Sequence, residues 1–259
     1  MHKLLATALT CAALTGSAFA STPWDGTWKL DLNKSHLTGP SFTYSKTANG
    51  VWHYTDGAIS FDFAPDGKPY KTISPDDTLS VTANGDHELT LVSRFKDKVR
   101  ATTQETLSPD GKTLTDRSSG TRPDGTKFDD STIYTRVSGA SGFAGKWKST
   151  KVSVSVPDSW IISSGSDGTI NWDLPGYKET VHGKPDGTPL PITGPTVSAG
   201  MTVSIKQVSP HRMDYTVALN GKAIGEGYQT LAADGKSFTD VSWTPGQQTE
   251  KTTGVFVKQ

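Results

Sequence analysis

The sequence predicts an all-β protein of two tandem antiparallel up-and-down β-barrels, each of about eight to ten strands, with almost no helix beyond its N-terminal leader. Three observations predict it. Apolar and polar residues alternate with a period of two wherever a pattern is readable, tight-turn chemistry recurs at short intervals, and a set of landmarks occurs twice in the same order.

The first twenty residues stand apart from the rest. His2 and Lys3 form a short polar start, residues 4–14 are apolar apart from threonines and Cys11, and Ala18-Phe19-Ala20 offers a small-x-small site before Ser21. This pattern predicts a secretory signal peptide cleaved after Ala20, and hence a periplasmic or secreted protein. Cleavage also removes Cys11, the one cysteine of the chain, so the mature protein has no thiol for disulfides, metal binding or nucleophilic attack. An exported chain without disulfides suits a bacterial periplasm.

Of 259 residues, 20% are charged and 9% aromatic, with seven tryptophans, a balance that predicts a soluble globular core and no transmembrane segment in the mature chain. Losing Lys3 with the leader leaves 25 basic against 26 acidic residues and no basic tract. Phosphate-dominated nucleic-acid binding needs such a tract, so no nucleic-acid partner is expected, and ligand binding is expected to be insensitive to salt.

Along the chain the strands declare themselves by alternation. Ile59, Phe61 and Phe63 alternate with Ser60 and Asp62, and Val152, Val154 and Val156 with serines. Met201, Val203 and Ile205 are followed by Met213, Tyr215, Val217 and Leu219, again with polar residues between. Such patterns belong to half-buried antiparallel strands. Asn49-Gly50, Asn84-Gly85 and Asn220-Gly221 follow strand-like runs and tolerate the positive φ of two-residue hairpins. Pro-Asp-Gly occurs at 65–67, 109–111, 123–125 and 185–187, where Pro presets φ and Gly takes the left-handed position of a bulged hairpin.

The landmarks recur at nearly constant spacing. Trp24-Asp25-Gly26-Thr27-Trp28-Lys29 and Phe143-Ala144-Gly145-Lys146-Trp147-Lys148 share aromatic-x-Gly-x-Trp-Lys at an offset of 119. Residues 107–116 and 231–240 are identical at six of ten positions, at an offset of 124. Ordered recurrence predicts a duplicated domain: a first barrel over 21–138, a small-residue linker at 139–142 and a second barrel over 143–259.

Strands without helices leave a barrel or a two-sheet sandwich, and Gly-x-Trp favours the barrel, because a first strand must bend sharply where an inward Trp plugs the floor. Here the sequence resembles the calycin superfamily: lipocalins, fatty-acid-binding proteins and nitrobindin-like relatives. Their first strand carries Gly-x-Trp and their last strand a basic residue packed over that Trp. The resemblance implies a structural floor from Gly26, Trp28 and Arg136 in the first half and from Gly145, Trp147 and Lys258 in the second. The lipocalins' Thr-Asp-Tyr is missing, and residues 31–41 are too few for the helical lid of fatty-acid-binding proteins.

No catalytic motif is readable: there is no Gly-x-Ser-x-Gly elbow, no His-Glu-x-x-His and no glycine-rich phosphate loop. No catalytic residue, metal site or cofactor is therefore expected. Asp76-Asp77 and Asp129-Asp130 read as hydrated turn acids, and of five scattered mature histidines only His53 sits among aromatics, as a candidate for haem or proton transfer. The remaining chemistry is aromatic. Trp52, Tyr54, Phe61 and Phe63 in the first half, with Trp172, Tyr215 and Trp243 in the second, are the candidate ligand-binding residues. The expected function is the binding of a small, mainly hydrophobic molecule inside a barrel without catalysis. The alternatives are an adhesive or structural envelope protein of two β-sandwich modules, and a barrel enzyme, an isomerase or hydrolase, acting on a hydrophobic substrate.

Overall fold

The computed structural model describes residues 22–47, 49–139 and 141–259, so the expected signal peptide at 1–20 lies outside the described residues, as does Ala140 of the expected linker. Among the described residues there are twenty strands. They begin with β1 (Gly26–Leu30), β2 (Ser41–Lys46), β3 (Trp52–Thr55), β4 (Ser60–Phe63), β5 (Asp66–Lys71), β6 (Asp77–Ala83), β7 (Glu88–Phe95), β8 (Lys98–Leu107), β9 (Thr113–Thr121) and β10 (Lys127–Ser138). They continue with β11 (Gly145–Ser153), β12 (Ser159–Ser164), β13 (Ile170–Leu174), β14 (Glu179–Gly183), β15 (Asp186–Thr193), β16 (Met201–Ser209), β17 (Arg212–Leu219), β18 (Lys222–Leu231), β19 (Ser237–Trp243) and β20 (Thr252–Lys258).

All ladders are antiparallel, and they form two barrels of ten strands each, one closed and one nearly closed. A single ten-stranded sheet curled around each core leaves no second sheet to oppose it, which removes the sandwich alternative. Strand membership does not follow the two halves of the sequence. The closed barrel consists of β12 to β20 with β1 inserted between β12 and β20, while the second sheet runs β4-β3-β2-β11-β10-β9-β8-β7-β6-β5. The first strand of each half therefore sits in the other half's barrel.

The connection after β10 explains this exchange. Only six residues separate β10 from β11, and such a link returns the chain as a hairpin onto the strand it has just left. Arg136 faces Trp147 across that hairpin. The stretch around Gly139 and Gly142 is thus a turn inside one barrel, and the expected linker is corrected accordingly. The barrel of β2 to β11 is continuous in sequence, and the chain crosses between barrels at 31–40 and 154–158. Val154 and Val156, expected in a strand, lie in the second crossing. Having lost β11, the closed barrel completes its circle with β1, where Trp28 faces Trp160 on one side and Lys258 on the other.

The second sheet stays open because β4 and β5 occupy its two ends and share no ladder. At the corresponding place in the closed barrel, β14 and β15 pair through only Thr180–Thr193 and Val181–Ile192. Asn220 and Gly221 take φ of 50° and 81°, the two positive values that a type I′ hairpin requires. The Pro-Asp-Gly triplets divide in use. Those at 109–111 and 123–125 turn the β8–β9 and β9–β10 hairpins, whereas those at 65–67 and 185–187 lead into β5 and β15, where a register shift against β6 and β16 follows.

Candidate functional site

The floors of the two barrels fix what lies above them. Trp28 and Trp147 are fully buried, and each indole N–H donates at 2.9 Å to the carbonyl four residues earlier, of Trp24 and Phe143. Lys258 Nζ lies 4.9 Å from the centre of the Trp28 ring and the Arg136 guanidinium 4.2 Å from that of Trp147. The expected cation-over-tryptophan contact is present, with partners exchanged by the strand swap: Trp28 with Lys258, Trp147 with Arg136. Gly26 and Gly145 both sit at φ +147°, and a Cβ there would lie 2.5 Å from Lys258 Cε or 2.7 Å from Arg136 Nη1. The Gly-x-Trp spacing thus lets the cation reach across the backbone to the ring. Arg136 also donates to the carbonyls of Gly111 and Ala144 at 2.6 Å, closing the hairpin end.

In the open barrel the four aromatic candidates come together. Trp52 faces Phe63 and Tyr54 faces Phe61 across β3 and β4, with stacked ring pairs at 6.5 and 4.9 Å. Phe42, Tyr44 and Tyr134 extend the group towards the floor. The rings largely fill the lower interior, and open volume remains at the mouth. There a cavity of about 300 Å³ lies between the β3–β4 hairpin and the turn that joins β5 to β6, with Tyr54, Ile59, Phe61, Ile73 and Leu79 on its wall and Asp77, Arg94 and Arg100 among its polar groups. Asp77 is not the hydrated turn acid expected. It is 4% exposed, accepts from Ser74 at 2.5 Å, pairs with Arg100 at 2.9 Å and accepts from Ser198 of the other barrel.

Below the aromatic group lies a pair that the sequence reading missed. Glu105 and Asp116 face each other directly across β8 and β9, on the inner face that also carries Leu107 and Leu114. Tyr44 donates its hydroxyl to Glu105 at 2.9 Å, while Glu105 Oε2 and Asp116 Oδ1 are buried without a hydrogen-bond partner. Burial pushes the Asp116 carboxyl up to about 7, and burial together with the Asp116 charge holds Glu105 well above the usual carboxylate range. Two adjacent carboxyls removed from water keep a proton near neutral pH, and the protonated member can donate a hydrogen bond. Tyr44 and Tyr134 are likewise held above their ordinary range, first by burial and then by these acids.

The closed barrel carries a related pair, with glutamine in place of the glutamate and the tyrosine donor on another strand and bonded to the other member. Gln229 and Asp240 face each other across β18 and β19, Tyr215 donates to Asp240 at 3.2 Å, and burial raises Asp240 to about 6. Gln229 Oε1 and Nε2, Asp240 Oδ1 and Trp172 Nε1 are buried without partners. The signal was present in the sequence: Thr-Asp closes both copies of the ten-residue landmark, two residues beyond a core Leu114 or Phe238 and therefore on the same face.

Trp172 and Tyr215 meet inside this barrel, at 6.3 Å between rings, joined by Trp160 at 5.3 Å from Trp172. Trp243 does not join them. Its strand turns Phe238, Asp240 and Ser242 inward, so Trp243 takes the outer face, where it donates to Glu226 at 2.8 Å, lies edge-on to Tyr228 and lies under Lys251. His53 also points outward, between the inward Trp52 and Tyr54, with Nδ1 2.6 Å from Asp62 Oδ1. That position removes it from the barrel chemistry for which it was a candidate.

No family model, curated protein or solved structure matches the chain. Among the described residues no helix is long and apolar enough to cross a membrane, and no group of three or more His, Cys, Asp or Glu side chains converges as a metal-ligand set.

Proposed function

We propose that this chain is an exported pair of calycin-like barrels, arisen by tandem duplication, that binds a small, mainly hydrophobic molecule at the mouth of the open barrel without transforming it. The observation that carries this reading is the cavity of about 300 Å³ between the β3–β4 hairpin and the turn that joins β5 to β6, walled by Tyr54, Phe61, Ile59 and Leu79. Unlaced edges let a ligand enter between strands, and apolar walls with a few polar groups are the usual character of a small-molecule site. The duplication rests on the shared landmarks and on the matching Glu105–Asp116 and Gln229–Asp240 positions. The leader supports export. An enzyme reading would draw on Glu105 and Asp116, but neither carboxyl is among the residues that line the cavity, so binding is favoured over acid–base chemistry.

The test is a titration of the protein with a panel of uncharged hydrophobic compounds, followed by tryptophan fluorescence, since Trp52 packs on Tyr44 and Phe63, which in turn touch the lining Tyr54 and Phe61. Saturable one-to-one quenching by at least one member is expected. Phe61→Ala should weaken it by about tenfold or more, because burying an aromatic side chain contributes about 1.5–3 kcal/mol. No saturable change across the panel, or equal affinity in Phe61→Ala, would overturn the reading.

A further inference from the structure

A cavity larger than that of the barrel mouth lies outside both barrels. It is a cleft of about 750 Å³ between the β7–β8 and β9–β10 ends of the open barrel and the loops at 177–179 and 195–196 of the closed one. Five cationic side chains line it: Lys96, Lys98, Arg100, Arg122 and Lys178, against a single carboxylate, Glu179. Its apolar wall is Phe95, Val99, Phe128 and Tyr177. Val99 is 57% exposed there, although a valine of this strand-rich chain would ordinarily be covered.

The two arginines are held in place by the fold. Arg100 pairs with Asp77, donates to the Thr196 carbonyl and lies 4.8 Å from the Phe95 ring centre. Arg122, 8% exposed, pairs with Asp158 at 3.0 Å, donates to the Val156 carbonyl at 2.7 Å and covers Tyr177 at 5.0 Å. Asp77 and Asp158 sit behind the guanidinium groups and do not line the cleft. Lys98 and Lys178 make no ion pair within 4.0 Å among the described residues. Lys178 holds φ +52°, a strained value for a side chain of its size, which the closed barrel's β13–β14 connection imposes. A shallower cavity shares Val99, Arg100 and Phe128 with the cleft and adds Lys127.

We propose that this inter-barrel cleft is a second ligand site, specific for amphiphilic organic anions: an aromatic or otherwise apolar body against Val99, Phe128 and Tyr177, with a carboxylate, sulfonate or phosphate between Lys98, Lys178 and the two fixed arginines. Its volume is that of small-molecule sites generally, about 300–1,000 Å³. Fixed guanidinium groups supply oriented donors, and the unpaired lysines supply the net charge. The site depends on the juxtaposition of both barrels, since neither contributes both Lys98 and Lys178. It also changes one expectation from the sequence. A chain without a basic tract still assembles a basic cleft, because segments at 96–100, 122 and 178 are brought together only by the fold.

Two probes with one skeleton separate this site from the barrel mouth: 8-anilinonaphthalene-1-sulfonate, and the uncharged N-phenyl-1-naphthylamine. The variant is Lys98→Gln with Lys178→Asn, asparagine being tolerant of the left-handed φ at 178. Circular dichroism and melting confirm its fold. The sulfonate should bind saturably to wild type, about tenfold more weakly to the double variant, and more weakly as salt is raised, while binding of the uncharged probe stays the same. Phe61→Ala should leave sulfonate binding intact, which distinguishes failure of the cleft from failure of the barrel site. Equal sulfonate affinity in wild type and double variant, salt-independent binding, or full competition between the two probes would overturn the proposal.

Discussion

Replacing Asp240 with Asn should stabilise the protein at pH 8 and leave it unchanged near pH 3. Burial lifts the Asp240 carboxyl from 3.8 to about 6, with the Tyr215 hydroxyl opposing that rise. The folded state therefore holds this proton more tightly than the unfolded chain, whose aspartates titrate near 3.9. Below pH ~3 both states are protonated and the group carries no cost. As pH rises towards 6 the unfolded chain loses its proton first and stability falls, and above 6 the full cost of a buried carboxylate is borne. That difference in proton affinity between the folded and unfolded states corresponds to about 3 kcal/mol. Asparagine keeps the shape and can still accept from Tyr215, but it carries no charge, so the variant should gain up to that amount at pH 8. For a protein of this size each kcal/mol moves the melting temperature by about 2–4 °C. Calorimetric melts of wild type and Asp240→Asn from pH 3 to 8 should then diverge by roughly 6–12 °C at the alkaline end and converge at the acid end. A difference that is constant across pH, or a variant less stable at pH 8, would refute the assignment of a buried, proton-retaining Asp240.

Asp116→Asn should behave similarly, with the divergence continuing to grow up to about pH 7 because burial holds Asp116 near 7. Trp28→Ala should cost about 3–5 kcal/mol and loosen the barrel of residues 159–258, whereas Trp147→Ala should loosen that of residues 41–153; hydrogen exchange resolved by residue checks the crossing, and loss of protection within each tryptophan's own half would contradict it. A fragment of residues 41–153 should fold alone into a β-rich, cooperatively melting unit, while one of residues 143–259 should not, lacking β1; circular dichroism with thermal melts decides. Gly145→Ala should destabilise through both its φ of +147° and the collision of its Cβ with the Ser138 carbonyl oxygen, visible as a lowered melting temperature.

The β-barrel class was readable because its determinants are local. Alternation marks each strand and Asn-Gly or Pro-Asp-Gly marks the turns, so residues such as Val203, Ile205 and Met213 fall on the inner face as their spacing requires. The exchange of β1 and β11 was not readable by the same means, because alternation says which face a residue takes and nothing about which strand lies beside it. The short connection before Gly145 carried the information, since few residues between two strands make a hairpin more readily than a domain linker. The aromatic group at Trp52, Tyr54, Phe61 and Phe63 was found because neighbouring strands keep a common face. Trp243 was misplaced by one residue of parity. Glu105 and Asp116 were overlooked because acids are ordinarily placed in water, yet both stand two residues from core leucines. The basic cleft is the least legible feature: its lysines and arginines are ordinary surface residues until two barrels are set side by side.

The central claim, a neutral ligand site at the mouth of the open barrel, is tested most directly by mapping backbone amide shifts on titration with N-phenyl-1-naphthylamine. Saturable shifts concentrated at residues 54–61, 72–79 and 93–94 are expected, with the closed barrel silent. Shifts centred instead on Trp172 and Tyr215, or scattered over the outer loops, would contradict it.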